Sequence, residues 1–201
     1  MKSKININIF GYILSFLIVL LALQIYTKSE TYNLKCIESK RDGNEYCVRR
    51  RDNIQTAADL LAEVASRMLK LVKYMKSKYP DRDNVFRLYT NYNPEYIQET
   101  LPSSELTAYS ENKGEKLAFC LNVKKKTSNK FVDVNTLTFV AIHELGHVMS
   151  KTVGHNDEFW ENFKFLLENA VDIKVYNPID YKSNPTEYCG MTITDNPLYD
   201  A

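Results

Sequence analysis

His143-Glu144-Leu145-Gly146-His147 is the stretch of this sequence whose residue types and spacing could do chemistry. It follows the apolar run Leu137-Thr138-Phe139-Val140-Ala141-Ile142, which predicts a buried helix. Residues four apart on a helix lie one above the other, so His143 and His147 project from one face. Two neutral imidazoles so placed can grip one zinc ion, and the adjacent Glu144 can reach a water at the metal as general base. The competing reading is a chance match inside a core helix. The chain has only three histidines, however, and they are His143, His147 and His155. Histidines kept for packing would be scattered.

A hydrolytic zinc takes three protein ligands and leaves the fourth position to water. His155 is the leading candidate for the third, since it is an imidazole that follows a glycine able to turn the chain back. Glu161, on the next predicted helix, is a rival. Cys120 is another, and with it the chain would be a zinc amidohydrolase in the manner of a deformylase. A catalytically silent structural or binding module is the non-enzymatic alternative, and the intact Glu144 speaks against it.

The elements that must position these residues follow from periodicity. The metal-binding helix is expected to begin at Asn135 as N-cap and end near Ser150, with Ala141, Leu145 and Val148 buried behind it. Gly146 costs about 1 kcal/mol relative to alanine inside a helix, so a close backbone approach is expected there. A helix capped by Asn156 or Asp157 should run to Asp172 with Phe159, Phe163, Leu166, Leu167 and Ala170 inward. A long helix is predicted from Asn53 to Lys78, with a Leu/Met core stripe, and Tyr79-Pro80 stops it. A short helix is expected over Asp81–Tyr89, and Pro94 suits the start of another, ended by Pro102. Thr107–Ser110 and Leu117–Val123 flank Asn112-Lys113-Gly114 and read as a hairpin. Lys124, Lys125, Lys126 and Lys130 read as a solvated loop, and the tail from Lys174 as an irregular strap.

At the other end, Ile9 to Tyr26 is uncharged and densely apolar, about the length that spans a bilayer. It exceeds the core of a secretory signal and lacks a good cleavage site, so a retained anchor is expected. Lys2 and Lys4 precede it and Lys28, Lys35, Lys40 and Arg41 follow, so charge does not orient it. Asp42-Gly43 between two short runs predicts a hairpin that sets Cys36 near Cys47. With Cys120 and Cys189 the cysteines number four. They would form the bridges Cys36–Cys47 and Cys120–Cys189 in an oxidising space, or stay as four thiols in a reducing one. Arg49-Arg50-Arg51 is expected at a solvated hairpin end or against lipid. The 201 residues carry a net charge of +1, which excludes the strongly basic footprint of a nucleic-acid-binding domain.

The segment His143-Glu144-Leu145-Gly146-His147 … Gly154-His155-Asn156-Asp157-Glu158-Phe159-Trp160 resembles the zincin metallopeptidases of the WLM and SprT-like group, where a short spacer after HExxH leads to a His followed by an aromatic. It is similar as well to membrane-anchored metallopeptidases predicted in large DNA viruses. The spacer of seven residues between His147 and His155 is longer than is usual in WLM-type members. The resemblance implies His143, His147 and His155 as zinc ligands, Glu144 as catalytic base, and a peptide or protein substrate held along an exposed strand. Leu117, Phe119 and Leu121, on the predicted strand Leu117–Val123, are the expected substrate-binding residues. An oxyanion donor is expected from Tyr181 or Tyr188. The expected architecture is α+β: an anchor over 1–28, a juxtamembrane β-hairpin over 29–52, and over 53–201 a zincin-like metallopeptidase domain with a small sheet and a buried HExxH helix.

Overall fold

A computed structural model describes residues 9–29, 33–125 and 130–200; Lys2 and Lys4 ahead of the apolar run, and Lys126 of the lysine-rich loop, lie outside them. Helix α1 (Ile9–Lys28) is apolar all round, and its stretch Ile9–Thr27 is long and apolar enough to cross a membrane. Its large side chains are exposed, from 45% at Leu20 to 77% at Phe10, so it is not a core helix of the rest of the chain.

Strands β1 (Leu34–Glu38) and β2 (Glu45–Arg49) form the hairpin turned by Asp42-Gly43. Gly43 takes a left-handed φ of +75°, and the Asp42 carboxylate accepts from the Asn44 backbone N–H at 3.1 Å. Cys36 lies directly opposite Cys47 and the two are bonded. The hairpin does not stand apart as a separate unit over 29–52. β2 pairs in parallel with β3 (Ile97–Glu99), which pairs in parallel with β5 (Lys116–Phe119), and β4 (Ala108–Glu111) closes the sheet antiparallel to β5. The order β1-β2-β3-β5-β4 makes β4 an edge.

Helix α2 (Ile54–Lys78) buries Leu61, Val64, Met68, Leu71, Val72 and Met75 and packs against β2 and against α4 (Val134–Met149). Helix α3 (Asp83–Asn91) buries Val85 and Leu88. No second helix starts at Pro94. The Asn93 side chain accepts from the Glu95 N–H at 3.0 Å in an Asx turn, the Asn93 N–H donates to the Gly114 carbonyl, and the chain enters β3 instead. Pairing on both sides of β3 overrides the local preference. Gly114 (φ +117°) is required by contact as well as conformation, since a Cβ would stand 2.8 Å from the Asn91 carbonyl oxygen and 2.9 Å from Val148 Cγ1.

Helix α5 (Asp157–Asp172) lies against α4, and its inward stripe is the one expected. The tail is more regular than a strap. β6 (Thr186–Tyr188) and β7 (Met191–Ile193) form a hairpin whose turn residues Cys189 and Gly190 both have positive φ, as a tight two-residue loop needs. Cys189 is bonded to Cys120, which fastens this hairpin to the end of β5.

The basic cluster is also placed otherwise than expected. Arg50 is exposed, but Arg49 and Arg51 point inward and share the buried carboxylate of Glu99. Glu99 also accepts from the Arg49 backbone N–H at 2.8 Å, while the Arg49 guanidinium donates to the carbonyls of Thr100 (2.6 Å) and Lys125 (2.8 Å). Arg51 reaches Asn122 Oδ1 at 2.8 Å. The network ties β2, β3 and the segment after β5 together. Removing one partner of a buried pair strands the other charge, so Glu99→Gln should cost about 3–5 kcal/mol, read as a lowered urea midpoint. An unchanged midpoint would show that the arginines find other compensation.

Candidate metal and catalytic site

Helix α4 is capped two residues earlier than Asn135. Asp133 is the N-cap, its Oδ1 accepting from the backbone N–H groups of Asn135 (3.0 Å) and Thr136 (2.9 Å). Twelve of the sixteen helix residues are buried, Ala141, Leu145 and Val148 completely. The side that remains carries His143 and His147 into a cleft of about 780 Å³.

α5 is drawn close to α4 at Gly146, where an added Cβ would lie 3.1 Å from the Phe159 ring and 3.4 Å from Phe163 Cβ. The Phe159 ring stacks on His147 with centroids 4.3 Å apart and meets His143 edge-on at 4.8 Å, and Phe163 meets His143 at 5.2 Å. These contacts orient both imidazoles and keep their apolar edges dry.

The connection between α4 and α5 returns His155. Gly154 has φ +92° and open space around its Cβ position, so backbone conformation is its reason. The Glu158 carboxylate accepts from the N–H groups of Lys151 (2.9 Å) and Thr152 (3.1 Å) and from the Thr152 hydroxyl, bonds that hold it down to about 2. Asn156 caps α5 through the Phe159 N–H, and the Trp160 indole donates to the His155 carbonyl at 3.1 Å. From the β4–β5 turn, Lys113 Nζ donates to the carbonyls of Ser150 (3.0 Å) and Thr152 (2.5 Å), with His147 O at 3.5 Å, and so caps the end of α4.

The result is a cluster of His143, His147 and His155, each offering a ring nitrogen, all within 4.8 Å of one another; His143 Nε2 and His155 Nε2 are 3.0 Å apart. Burial pushes His143 down to about 3 and His147 to about 4, helped by the neighbouring imidazoles. At neutral pH both rings are therefore uncharged, the form that binds metal. Glu144 is buried, which raises its carboxyl to about 8 against the opposing hydrogen bond from the Ser110 backbone N–H. Three converging imidazoles beside a buried carboxylate fit a dication, whose charge would favour the carboxylate form. The donor set of three imidazoles suits zinc.

The rivals for the third ligand fall away on position. Cys120 is committed to Cys189, which removes the cysteine-ligated amidohydrolase, and Glu161 is exposed on α5 and not part of the cluster. The expected substrate strand is also misplaced. Leu117, Phe119 and Leu121 are fully buried, and β5 is paired on both sides, so it presents neither side chains nor free backbone to a peptide. The edge is β4. The Cys120 N–H donates to the Thr107 carbonyl, so by alternation Tyr109 and Glu111 bond to β5 while Ala108 and Ser110 turn their backbone groups the other way. Of the two tyrosines, Tyr188 lines the cleft with its hydroxyl on the Thr107 carbonyl at 3.3 Å, whereas Tyr181 packs on Phe139 outside the lining. Sequence reasoning missed Lys113, Glu158 and Ser110. Only Glu158 had a signal, as an acid in the first turn of a helix.

The Gly146 contact generates a test in which two effects oppose. Alanine would gain about 1 kcal/mol in helix propensity. Phe159 is fully buried against His147 and cannot retreat, and forcing an extra carbon into such packing costs about 1–3 kcal/mol. Gly146→Ala should therefore lower the melting temperature and weaken zinc binding together. A more stable variant with full zinc affinity would mean that α5 shifts freely.

No family model matches the chain. Uncharacterized protein R325 of Acanthamoeba polyphaga mimivirus is 30% identical over 210 aligned positions, covering 98% of this chain and all of that protein. Uncharacterized protein 136R of Invertebrate iridescent virus 6 is 34% identical over 70 positions, 35% of this chain and 38% of that one. Among solved structures, Wss1 of Saccharomyces cerevisiae aligns with a TM-score of 0.48 at 18% identity, over 64% of this chain and 88% of that one. The chain belongs to the family of the mimivirus protein R325.

Proposed function

We propose that the chain is a zinc-dependent peptidase held at a membrane by α1. The observation that carries this reading is the convergence of His143, His147 and His155 with the buried carboxylate of Glu144 on the floor of one cleft. A merely structural metal site has no use for that carboxylate.

His143, His147 and His155 would hold the metal. Zinc there supplies a Lewis acid for the scissile carbonyl and lowers the pKa of a water to about 7. Glu144 takes the proton from the attacking water and returns it to the departing amine, and the Ser110 N–H orients its carboxylate. The Ala108 backbone groups and the Ser110 carbonyl face away from β5 along the cleft, where an extended peptide can add to the sheet edge beside the Ser110 N–H already given to Glu144. The α1 helix, with its exposed apolar side chains, supports a single-pass anchor, and the two cysteine pairs support a domain facing an oxidising space.

Two variants separate enzyme from scaffold. Glu144→Gln should keep zinc at wild-type content and lose peptide cleavage by about 10²–10⁴-fold, because only proton transfer is removed. His155→Ala should lose zinc affinity, and thermal stability with it. Undiminished cleavage in Glu144→Gln would sink the assignment of the base, and full zinc retention in His155→Ala would sink that of the ligand. For the anchor, carbonate extraction should leave the full-length chain in the membrane pellet; its release into the supernatant would exclude a spanning α1.

A further inference from the structure

Among the described residues outside α1, the large apolar side chains left exposed are Phe86, Tyr96, Leu106, Val153, Trp160, Met191 and Tyr199. Four of these seven, Leu106, Val153, Trp160 and Met191, line the one cleft that holds the histidine cluster. They come from three separate parts of the chain: the approach to β4, the connection before His155 together with the first turn of α5, and the start of β7. Exposed apolar residues scattered singly need no explanation, but their gathering around one opening does. Three of the four are held in place by fixed structure. The Trp160 indole is bonded to the His155 carbonyl, the carbonyl of Leu106 accepts from Lys125 Nζ at 3.0 Å, and Met191 follows the turn fastened by the Cys120–Cys189 bond. The rim is a preformed surface.

The charged groups that line the cleft besides Glu144 are Lys113 and Asp195, and both are already engaged. Lys113 caps the carbonyls at the end of α4, and Asp195 is paired with Lys182 Nζ at 3.2 Å. An enzyme that trims chain ends needs a spare cation for a terminal carboxylate or a spare anion for a terminal amine. Among the described lining residues these two charges have other work.

We propose that this cleft selects internal peptide segments carrying a large apolar side chain beside the scissile bond, with Leu106, Val153, Trp160 and Met191 as the specificity-determining rim. This rests on the peptidase reading above and names the substrate class of that site. The rim adds hydrophobic contact around an otherwise sequence-neutral backbone pairing on β4, and such contacts discriminate by roughly 10–200-fold.

Trp160 is the single tryptophan of the chain, so its emission reports on the cleft directly. The full chain in lipid nanodiscs, carrying Glu144→Gln to prevent turnover, is titrated with zinc and then with paired peptides of about ten residues. The peptides are blocked at both ends and differ only in a central Phe-Leu or Ser-Ser. The Phe-Leu peptide should shift Trp160 emission to the blue and bind at least about tenfold more tightly than Ser-Ser. Met191→Ser and Leu106→Ser should each shrink that ratio, and circular dichroism checks that they fold. Wild-type chain should show the same preference in kcat/KM and should not require free termini. Equal binding of both peptides overturns the proposal, as does quenching of Trp160 by brominated lipid without a response to peptide, which would assign the rim to the bilayer. Selective binding by Glu144→Gln without cleavage by the zinc-loaded wild type would sustain the apolar selection and overturn the peptidase reading instead.

Discussion

At Gly146 two helices approach so closely that a single carbon would separate them, and the site depends on that contact. The space a side chain would fill belongs to Phe159, whose ring stacks on His147 and touches His143 and His155 as well. One aromatic ring thus sets the orientation of all three imidazoles. It also keeps water from the edges of His143 and His147, and that burial is why they stay neutral. The start of α5 is fixed by the same contact, and with it the connection that returns His155. The arrangement of the three imidazoles, the neutral state of His143 and His147, and the loop conformation are therefore three results of one packing decision.

The parts of the site legible in the sequence are those with a short-range signature. A four-residue spacing on a helix needs no tertiary information, and neither does the scarcity of histidine that pointed to His155. Gly146 could be read because a glycine inside an otherwise strong helix has a cost that something must offset. The parts that misled are set by partners far along the chain. Arg49 and Arg51 look like a solvated cluster until Glu99, some fifty positions on, is brought beneath them. Pro94 suits a helix start locally, but sheet pairing on both sides of β3 decides otherwise. The choice of edge strand had a usable clue. Leu117-Ala118-Phe119-Cys120-Leu121 is apolar without alternation, the pattern of a strand covered on both faces, whereas the neighbouring Thr107–Ser110 run is mixed, as an edge is. The C-terminal hairpin was hidden by its shortness, since three-residue strands flanked by proline carry little periodicity.

The two disulfides differ in what they constrain. Cys36–Cys47 joins residues already paired across a hairpin and adds little to the fold's connectivity. Cys120–Cys189 joins positions 69 apart, and one of its ends sits at the turn of the hairpin that forms a wall of the cleft. That wall is thereby attached to the end of β5, and the Tyr188 hydroxyl meets the Thr107 carbonyl at the approach to β4, so its position is covalently limited rather than left to the packing of a short tail.

On the proposed peptidase reading, the cap formed by Lys113 bears on where a bound peptide would be cut. Its ammonium group bolts the β4–β5 turn to the carbonyls of Ser150 and Thr152 just past the end of α4, which holds the edge strand in place relative to the histidines. The strand and the reacting centre then act as a ruler with a fixed zero. A peptide lying along β4 that slips by one residue turns every side chain to the opposite face, whereas a slip by two restores the same facing. Alternative scissions within one substrate would accordingly fall at even spacings, a ladder whose rung is the dipeptide.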